Sequence, residues 1–413
     1  MNTLYNLFIF IIQLILHVCK HFNKKIFKFI NERKETFNEL KLYISKNEKY
    51  IWIHVASLGE YEQGLPVFKE IKSLYKDHKI ILSFFSSSGY ELRKNNLISD
   101  LTVYLPIDSH YNAKTFIELI DPKIAIFVKY EFWPNFLKFL EKKKTPTYLI
   151  VGSFRENHWF FKPWGFWMKK KLKVFSHFFV QNEISKNLLN KNNFDNCSIM
   201  GDSRFERVIE LPNQNKKIEH LSEFKGSKKC IVAGSTWEKD EKIIIKFINN
   251  YIKEDVCFII APHQIDLVKI KIMRSLIHRN TVLMSDLKKS NRKDFSVIII
   301  DSVGMLTSVY GYADIAYVGG GMGNTGLHNT LEPAVFKIPV IIGKNFQKFP
   351  EVSELIKLKG FLSIKDDLSF KTKLEGLLDN KKTREKMGQI NFNFIKENQG
   401  ATKKVVSYLK QKK

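Results

Sequence analysis

The chain is short of cysteine. Its four, Cys19, Cys197, Cys230 and Cys257, form no C-x-x-C pair among 413 residues. That argues against a cysteine zinc site and for reduced thiols in a cytosolic body. No His/Cys/Asp cluster has metal-ligand spacing, and no Asp-x-Asp closes a strand to hold a metal on a diphosphate. Asp366-Asp367 is more simply a turn or a helix start. G-x-S-x-G is absent, which argues against a Ser-His-Asp hydrolase. Acidic residues are scarce, 42 against 67 basic ones, for a formal net charge of +25. Such a charge favours anionic partners, whether nucleic acid, anionic lipid or a phosphorylated substrate. Compositional drift accounts for it equally well. With no Arg-rich helix, zinc finger or ribonucleoprotein motif, no nucleic-acid partner is expected. Internal repeats and low-complexity segments are lacking too.

A bilayer-length hydrophobic run is also missing. Residues 4–18, LYNLFIFIIQLILHV, are apolar over about 15 positions, against the ~20 of a comfortable span. No basic region precedes the run and no small-residue cleavage site follows, so it does not read as a cleaved signal peptide. Lys20, Lys24, Lys25 and Lys28 come next, which places the body on the cytoplasmic side. The expectation over residues 1–22 is an uncleaved N-terminal membrane anchor or an interfacial helix rather than a core helix. Residues 159–173, WFFKPWGFWMKKKLK, interleave aromatics with lysines. That suits an anionic membrane surface; a buried helix with a basic flank is the plainer reading.

What is present is a repeated strand–loop–helix grammar. Apolar runs Ile51–Val55, Ile80–Phe85, Ile124–Val128 and Thr147–Val151 each lead into a polar loop. The pattern restarts beyond a polar linker, residues 211–217, with Cys230–Ala233, Val256–Ile260, Val297–Ile300 and Ile315–Val318. Length alone suggests two or three domains. Alternating strands and helices predict parallel sheets covered on both faces. The fold class is therefore α/β, two doubly wound (Rossmann-like) domains facing a cleft, over residues 23–211 and 212–413. The last helix is free to pack back on the N-terminal domain. Function should lie at the carboxyl ends of the strands.

The organising stretch is Ala313–Gly343. A strand turns through Gly319, Gly320, Gly321, Gly323 and Gly326 towards a helix expected near Asn329, with Glu332 and Pro333 in its first turn. Such a loop is a candidate phosphate site. Gly321, Gly323 and Gly326 also fit G-x-G-x-x-G, but the next strand ends Gly343-Lys344 without the carboxylate that holds a ribose. A glycine turn without a ligand is the third reading.

Glu60 and Glu131 each follow a strand at a loop-to-helix junction. They read as base and orienter, or as helix-cap residues. A helix N-terminus would stabilise the Glu60 carboxylate and weaken it as a base, while aromatic neighbours oppose this by desolvation. His263 and His328 are possible phosphate contacts or satisfied loop histidines.

Several runs together carry a resemblance. They are His54-Val55-Ala56-Ser57-Leu58-Gly59-Glu60, Glu131-Phe132-Trp133-Pro134-Asn135, Gly234-Ser235-Thr236, Asp314 to Gly321, and His328-Asn329-Thr330-Leu331-Glu332-Pro333-Ala334. In this order, over roughly residues 50–360, the chain resembles the 3-deoxy-D-manno-octulosonic acid (Kdo) transferases of lipopolysaccharide assembly. The resemblance implies a GT-B glycosyltransferase fold with an N-terminal anchor in the inner membrane. It implies inverting, metal-independent transfer of Kdo from CMP-Kdo to a lipid A precursor, with no cofactor. The catalytic base falls on Glu60 and a second active-site glutamate on Glu131. The CMP contacts fall on Pro262, His263, Val303, Gly304 and Met305, on Gly321, and on Asn329, Thr330, Leu331 and Glu332. Many members carry an arginine between the equivalents of Pro262 and His263, and a glutamate where Met305 stands.

Overall fold

A computed structural model describes residues 2–214, 218–251, 253–287 and 291–413. The chain divides into two compact units, Met1–Arg207 with Gln399–Lys413, and Val208–Asn398. Of the linker expected at 211–217, Leu211–Gln214 is a helical turn and residues 215–217 lie outside the described residues.

The first unit holds seven strands: β1 (Lys49–Val55), β2 (His78–Phe84), β3 (Leu101–Tyr104), β4 (Ile124–Val128), β5 (Thr147–Gly152), β6 (Phe175–Val180) and β7 (Cys197–Ile199). Their order is β3-β2-β1-β4-β5-β6-β7, and every pairing is parallel. Helices cover both faces, so β4 and β5 are buried at every position; this is why they read as unbroken apolar runs. One face packs around Trp52, whose ring centroid lies 5.1 Å from those of Phe116 and Phe127. The strand order reverses between β1 and β4, so the loops after Val55 and Val128 open at the topological switch point.

The second unit repeats the plan with β8 (Lys229–Thr236), β9 (Val256–Pro262), β10 (Thr281–Leu283), β11 (Val297–Ile299), β12 (Ile315–Val318), β13 (Val340–Ile342) and β14 (Phe361–Ser363). The order is β10-β11-β9-β8-β12-β13-β14, again parallel throughout. Its switch point lies between β8 and β12, beside Trp237 and the glycine loop.

The C-terminal helix Ala401–Lys412 completes the first unit. Tyr408 packs its ring 4.3 Å from His177 and 5.3 Å from Phe179. The Glu206 carboxylate accepts from the Gly400 and Thr402 N–H groups, satisfying donors that a helix start leaves open.

The N-terminal segment corrects one expectation. Among the described residues no helix is long and apolar enough to cross a membrane. The helix Asn2–Cys19 has 18 residues, about 27 Å at 1.5 Å per residue, and polar Asn6, Gln13 and His17 interrupt it. It packs along the first unit instead. The Tyr5 hydroxyl donates to Asp108 Oδ2 at 2.8 Å, and Asn135 Nδ2 donates to Asn6 Oδ1 at 2.8 Å. Its other face leaves Leu7, Phe8, Phe10, Ile11, Leu14 and Ile15 exposed. Residues 159–173 are not one helix either. They break into short 3-10 turns and the helix Phe166–Lys171. Phe160, Met168 and Leu172 enter the core, while Trp159, Trp164 and Phe166 stay exposed.

Asp108 also accepts from the Asn135 and Phe136 N–H groups at the start of the helix Pro134–Lys143. Burial nonetheless pushes its carboxyl up to about 7, from ~3.9 in an unfolded chain. A raised folded value contributes stability that is complete below the unfolded value and is lost as pH rises through about 7. The stability of the first unit should therefore fall between about pH 4 and 7, and Asp108→Asn should flatten that slope in denaturant titrations run across pH.

Candidate functional site

At the switch point of the first sheet, the strand end and helix start are joined by Ser57. Its hydroxyl caps the helix Leu58–Leu74 by accepting from Glu60 N at 3.4 Å. Glu60 turns back and accepts the Ala56 N–H at 2.6 Å. It therefore has the geometry of a capping glutamate, yet its residue is only 6 % exposed. The balance between cap and desolvation resolves in favour of desolvation. Burial raises the Glu60 carboxyl above the usual range, and the Ala56 N–H, Lys129 and the Ser57 N–H offset part of the rise.

Glu131 stands in the facing loop after β4. Burial first, and the Glu60 charge second, push its carboxyl up to about 7, with Lys129 opposing. The Glu131 carboxyl thus senses the charges of Glu60 and Lys129, and Glu60 that of Lys129. A carboxyl poised near neutrality can hold or release a proton at physiological pH.

The loop carrying Glu131 is fixed from within the sheet. Trp133 Nε1 donates to His54 Nε2 at 3.0 Å. An indole N–H can only donate, so His54 Nε2 accepts and its proton sits on Nδ1. Nδ1–H then donates to Ser83 Oγ at 2.9 Å, which also accepts from Trp52 Nε1 at 2.8 Å. His54 is fully buried, and burial lowers it to about 3, so the imidazole is neutral.

In the second unit the interior acceptor is Asp240, buried on the helix Glu238–Asn250. Its Oδ2 takes the Trp237 N–H at 3.0 Å and the Gly320 N–H at 2.8 Å; its Oδ1 takes the Tyr317 hydroxyl at 2.7 Å. One carboxylate therefore ties β12, the start of the glycine loop and the N-terminus of the helix Glu238–Asn250 together. Above it Trp237, His263 and His328 gather. The ring centroids of His263 and His328 are 4.1 Å apart and those of Trp237 and His263 are 4.7 Å apart, both stacked. Trp237 Nε1 donates to His328 Nε2 at 2.8 Å, which leaves Nδ1–H as the donor His328 can offer. Burial lowers both imidazoles, so both are neutral at pH 7.

The glycine loop is first a packing device. A Cβ on Gly319 would collide with Ser235 O, and Gly321 and Gly343 lie backbone to backbone. The helix expected near Asn329 is only Leu331–Ala334, four residues. It stops because Lys337 takes a left-handed backbone (φ 59°) and Pro339 follows. The dinucleotide fingerprint, which needs a helix opening at its last glycine, is not formed.

The remaining residues named from sequence divide clearly. Glu332 is held at both oxygens, by Thr307 Oγ1 at 3.0 Å and Asn329 Nδ2 at 2.9 Å. Val303 is 89 % exposed beside Gly304, whose φ is 89°. Met305 and Pro262 are half-buried. Thr330 and Leu331 point into the core and can offer only backbone to a ligand. Beside Trp237 and Pro262 a groove of about 330 Å³ runs between the helices Glu238–Asn250 and Leu267–Leu276. Among the described residues no group of three or more His, Cys, Asp or Glu is arranged to hold a metal ion. Sequence reasoning passed over Lys129, Asp240 and Thr307, and met Trp237 only as a loop residue.

Residues 28–207 match the family model described as 3-Deoxy-D-manno-octulosonic-acid transferase (kdotransferase). A bifunctional glycosyltransferase/methyltransferase of Fusobacterium nucleatum is 28% identical over 395 residues, 91% of this chain and 58% of that protein. The chain thus spans less than two thirds of that relative. A 3-deoxy-D-manno-octulosonic acid transferase of Haemophilus influenzae is 29% identical over 381 residues, 87% of this chain and 86% of that one. The solved UDP-GlcNAc 2-epimerase of Neisseria meningitidis, bound to UDP-GlcNAc, superposes with a TM-score of 0.63 at 15% identity, covering 88% of this chain and 100% of that one. At that identity the likeness concerns the fold: two parallel-sheet α/β domains of the kind that build GT-B glycosyltransferases.

Gly320 combines a φ of 90° with a Cβ direction that runs into Gly326 O. Gly320→Ala should therefore destabilise the second unit by about 2–4 kcal/mol, read by chemical denaturation.

Proposed function

We propose that this protein, which belongs to the 3-deoxy-D-manno-octulosonic acid (Kdo) transferase family, moves Kdo from CMP-Kdo onto a hydroxyl of a lipid A precursor. The observation that carries the reading is the pair Glu60 and Glu131, both desolvated, at the switch point of the first sheet. In this mechanism Glu60 takes the acceptor hydroxyl proton as the oxygen attacks the anomeric carbon. The bond from that carbon to the phosphate oxygen breaks, and CMP leaves with the electron pair. Attack opposite the leaving group inverts the centre. Glu131 orients the incoming hydroxyl.

The second unit supplies the grip on the nucleotide. Neutral His328 offers an Nδ1–H to the phosphate, and His263 stacks beside it. Backbone N–H groups of the glycine loop add fixed dipoles where charge develops, a stabilisation that needs no metal ion. Glu332, oriented by Thr307 and Asn329, is the carboxylate placed to meet ribose hydroxyls. CMP carries one phosphate, so less charge needs neutralising than on a diphosphate.

We place the enzyme at the cytoplasmic face of the inner membrane, lying on the surface rather than anchored through it. The outward face of the helix Asn2–Cys19 is apolar, and Tyr5 on that helix packs 5.6 Å from Trp167, in the segment that exposes Trp164 and Phe166 beside Lys169 and Lys170. Apolar side chains bordered by lysines suit an anionic lipid interface.

Glu60→Gln should lower kcat by about 10²–10⁴-fold while CMP-Kdo still binds; full transfer by the folded variant refutes the role. Because the base acts ionised and its carboxyl is raised by burial, activity should climb with pH above the ordinary carboxylate range. Stabilisation of the protein by UDP but not by CMP in thermal melts would move the reading to a UDP-sugar enzyme. Phe8→Glu with Ile11→Glu should abolish co-sedimentation with anionic vesicles while leaving the melting temperature within a few degrees. Undiminished vesicle binding would overturn the interfacial placement.

A further inference from the structure

The helix Pro134–Lys143, which follows the Glu131 loop, begins without a cap of its own. Trp133 stands at the N-cap position and makes no side-chain cap bond; an indole has no acceptor to offer. Pro134 has no N–H. The N–H groups of Asn135 and Phe136 are therefore left for a partner from elsewhere. Both go to Asp108, which is buried in the loop after β3: Asn135 N donates to Oδ2 at 3.0 Å and Phe136 N to Oδ1 at 3.1 Å. The third donor to this carboxylate comes from the N-terminal helix, where the Tyr5 hydroxyl lies 2.8 Å from Oδ2. The neighbouring Asn6 accepts from Asn135 Nδ2 at 2.8 Å, and the same amide nitrogen donates to Asp108 O at 2.6 Å. Both hydrogens of a buried amide are thus used. Between this clamp and Glu131 the chain is held twice more. Phe132 packs its ring 5.3 Å from Phe160 and 5.6 Å from Phe175, and Trp133 bonds His54.

We propose that Tyr5 and Asn6 are positioning residues: through Asp108 and Asn135, the N-terminal helix sets the loop from which Glu131 meets the acceptor hydroxyl. The inference rests on the reading of Glu131 as the group that orients that hydroxyl. Tyr5 and Asn6 are half-buried and Ile9, one turn on, is buried, whereas Leu7, Phe8 and Ile11 on the other face are exposed. One helix therefore carries two tasks on opposite faces. The outer face meets the lipid surface, and the inner face completes a cap that the catalytic loop lacks. The loop is thereby held at a fixed height above the surface in which the acceptor lies. A misplacement of about 1 Å far from the reacting atoms is enough to slow a reaction about 100-fold.

The test uses the full chain at pH 8, where Asp108, at about 7, is ionised and accepts. Tyr5→Phe removes one oxygen and keeps the ring that packs 5.6 Å from Trp167, so the variant folds; Asn6→Ala is added to it in a second variant. The first readout needs no substrate. Hydrogen exchange of the indole N–H of Trp133, two residues past Glu131, is followed by NMR beside that of Trp237, which bonds His328 in the second unit. Trp133→Phe and Trp237→Phe assign the two signals. In the double variant the Trp133 indole should exchange at least about 10-fold faster while that of Trp237 is unmoved. The second readout is transfer. The kcat should fall about 10- to 100-fold, with KM for CMP-Kdo within about twofold of wild type and co-sedimentation with anionic vesicles undiminished. Unchanged Trp133 exchange overturns the proposal, as does equal acceleration at Trp237, which marks general loosening. An unchanged kcat in a variant that transfers Kdo overturns it as well. Should the wild type transfer no Kdo at all, the functional reading fails, and the exchange rates still decide whether Tyr5 and Asn6 hold the loop.

Discussion

One hydrogen bond, from the Trp133 indole to His54, joins the interior of the first sheet to the loop that carries Glu131. The strand ends of a parallel sheet leave polar groups facing a crevice, and each must be satisfied or dissolved in water. Here the satisfaction runs inward. Trp133 bonds His54, His54 bonds Ser83, and Ser83 also receives Trp52. Because every donor in the chain has an acceptor, the array can be buried without penalty. Its rigidity passes through Trp133 to the loop that carries Glu131.

The second unit reaches the same end by another route. A buried carboxylate, Asp240, collects the donors that a strand end and a helix start leave open. Above it an indole again bonds an imidazole, Trp237 to His328. In both units a donor-only side chain removes the ambiguity of a histidine, turning a group that titrates near neutrality into a dipole of known direction. Close backbone approach, which glycine alone permits, lets the chain just past β12 lie against the chain just past β13 at Gly321 and Gly343.

Much of the architecture was legible because buried parallel strands leave an unbroken apolar signature; Ile124–Val128 and Ile315–Val318 could hardly be anything else. Glu60 and Glu131 were legible as residues just past such strands. What escaped was whatever depends on a partner far along the chain. Asp240 looks like an ordinary first-turn acid until Tyr317 and Gly320 arrive, and Lys129 looks like one lysine among many. The helix past the glycine loop was overread, because a left-handed Lys337 ends it after one turn. The N-terminal run reads as a membrane anchor or an interfacial helix; its apolar count conceals the polar ring and amide, Tyr5 and Asn6, that tie it to the body, and the anchor is not supported.

The closing helix of the first unit is the last segment of the chain, while the rest of that unit ends at Arg207. Translation proceeds from the N-terminus, so a nascent first unit must wait through nearly two hundred further codons for Tyr408 to cover His177 and Phe179. Until then Glu206 has no helix start to hold and an aromatic face stays bare. On the ribosome the helix that closes this unit is made only after all of Val208–Asn398, and a chain truncated before Ala401 would leave the half that bears Glu60 without its cover.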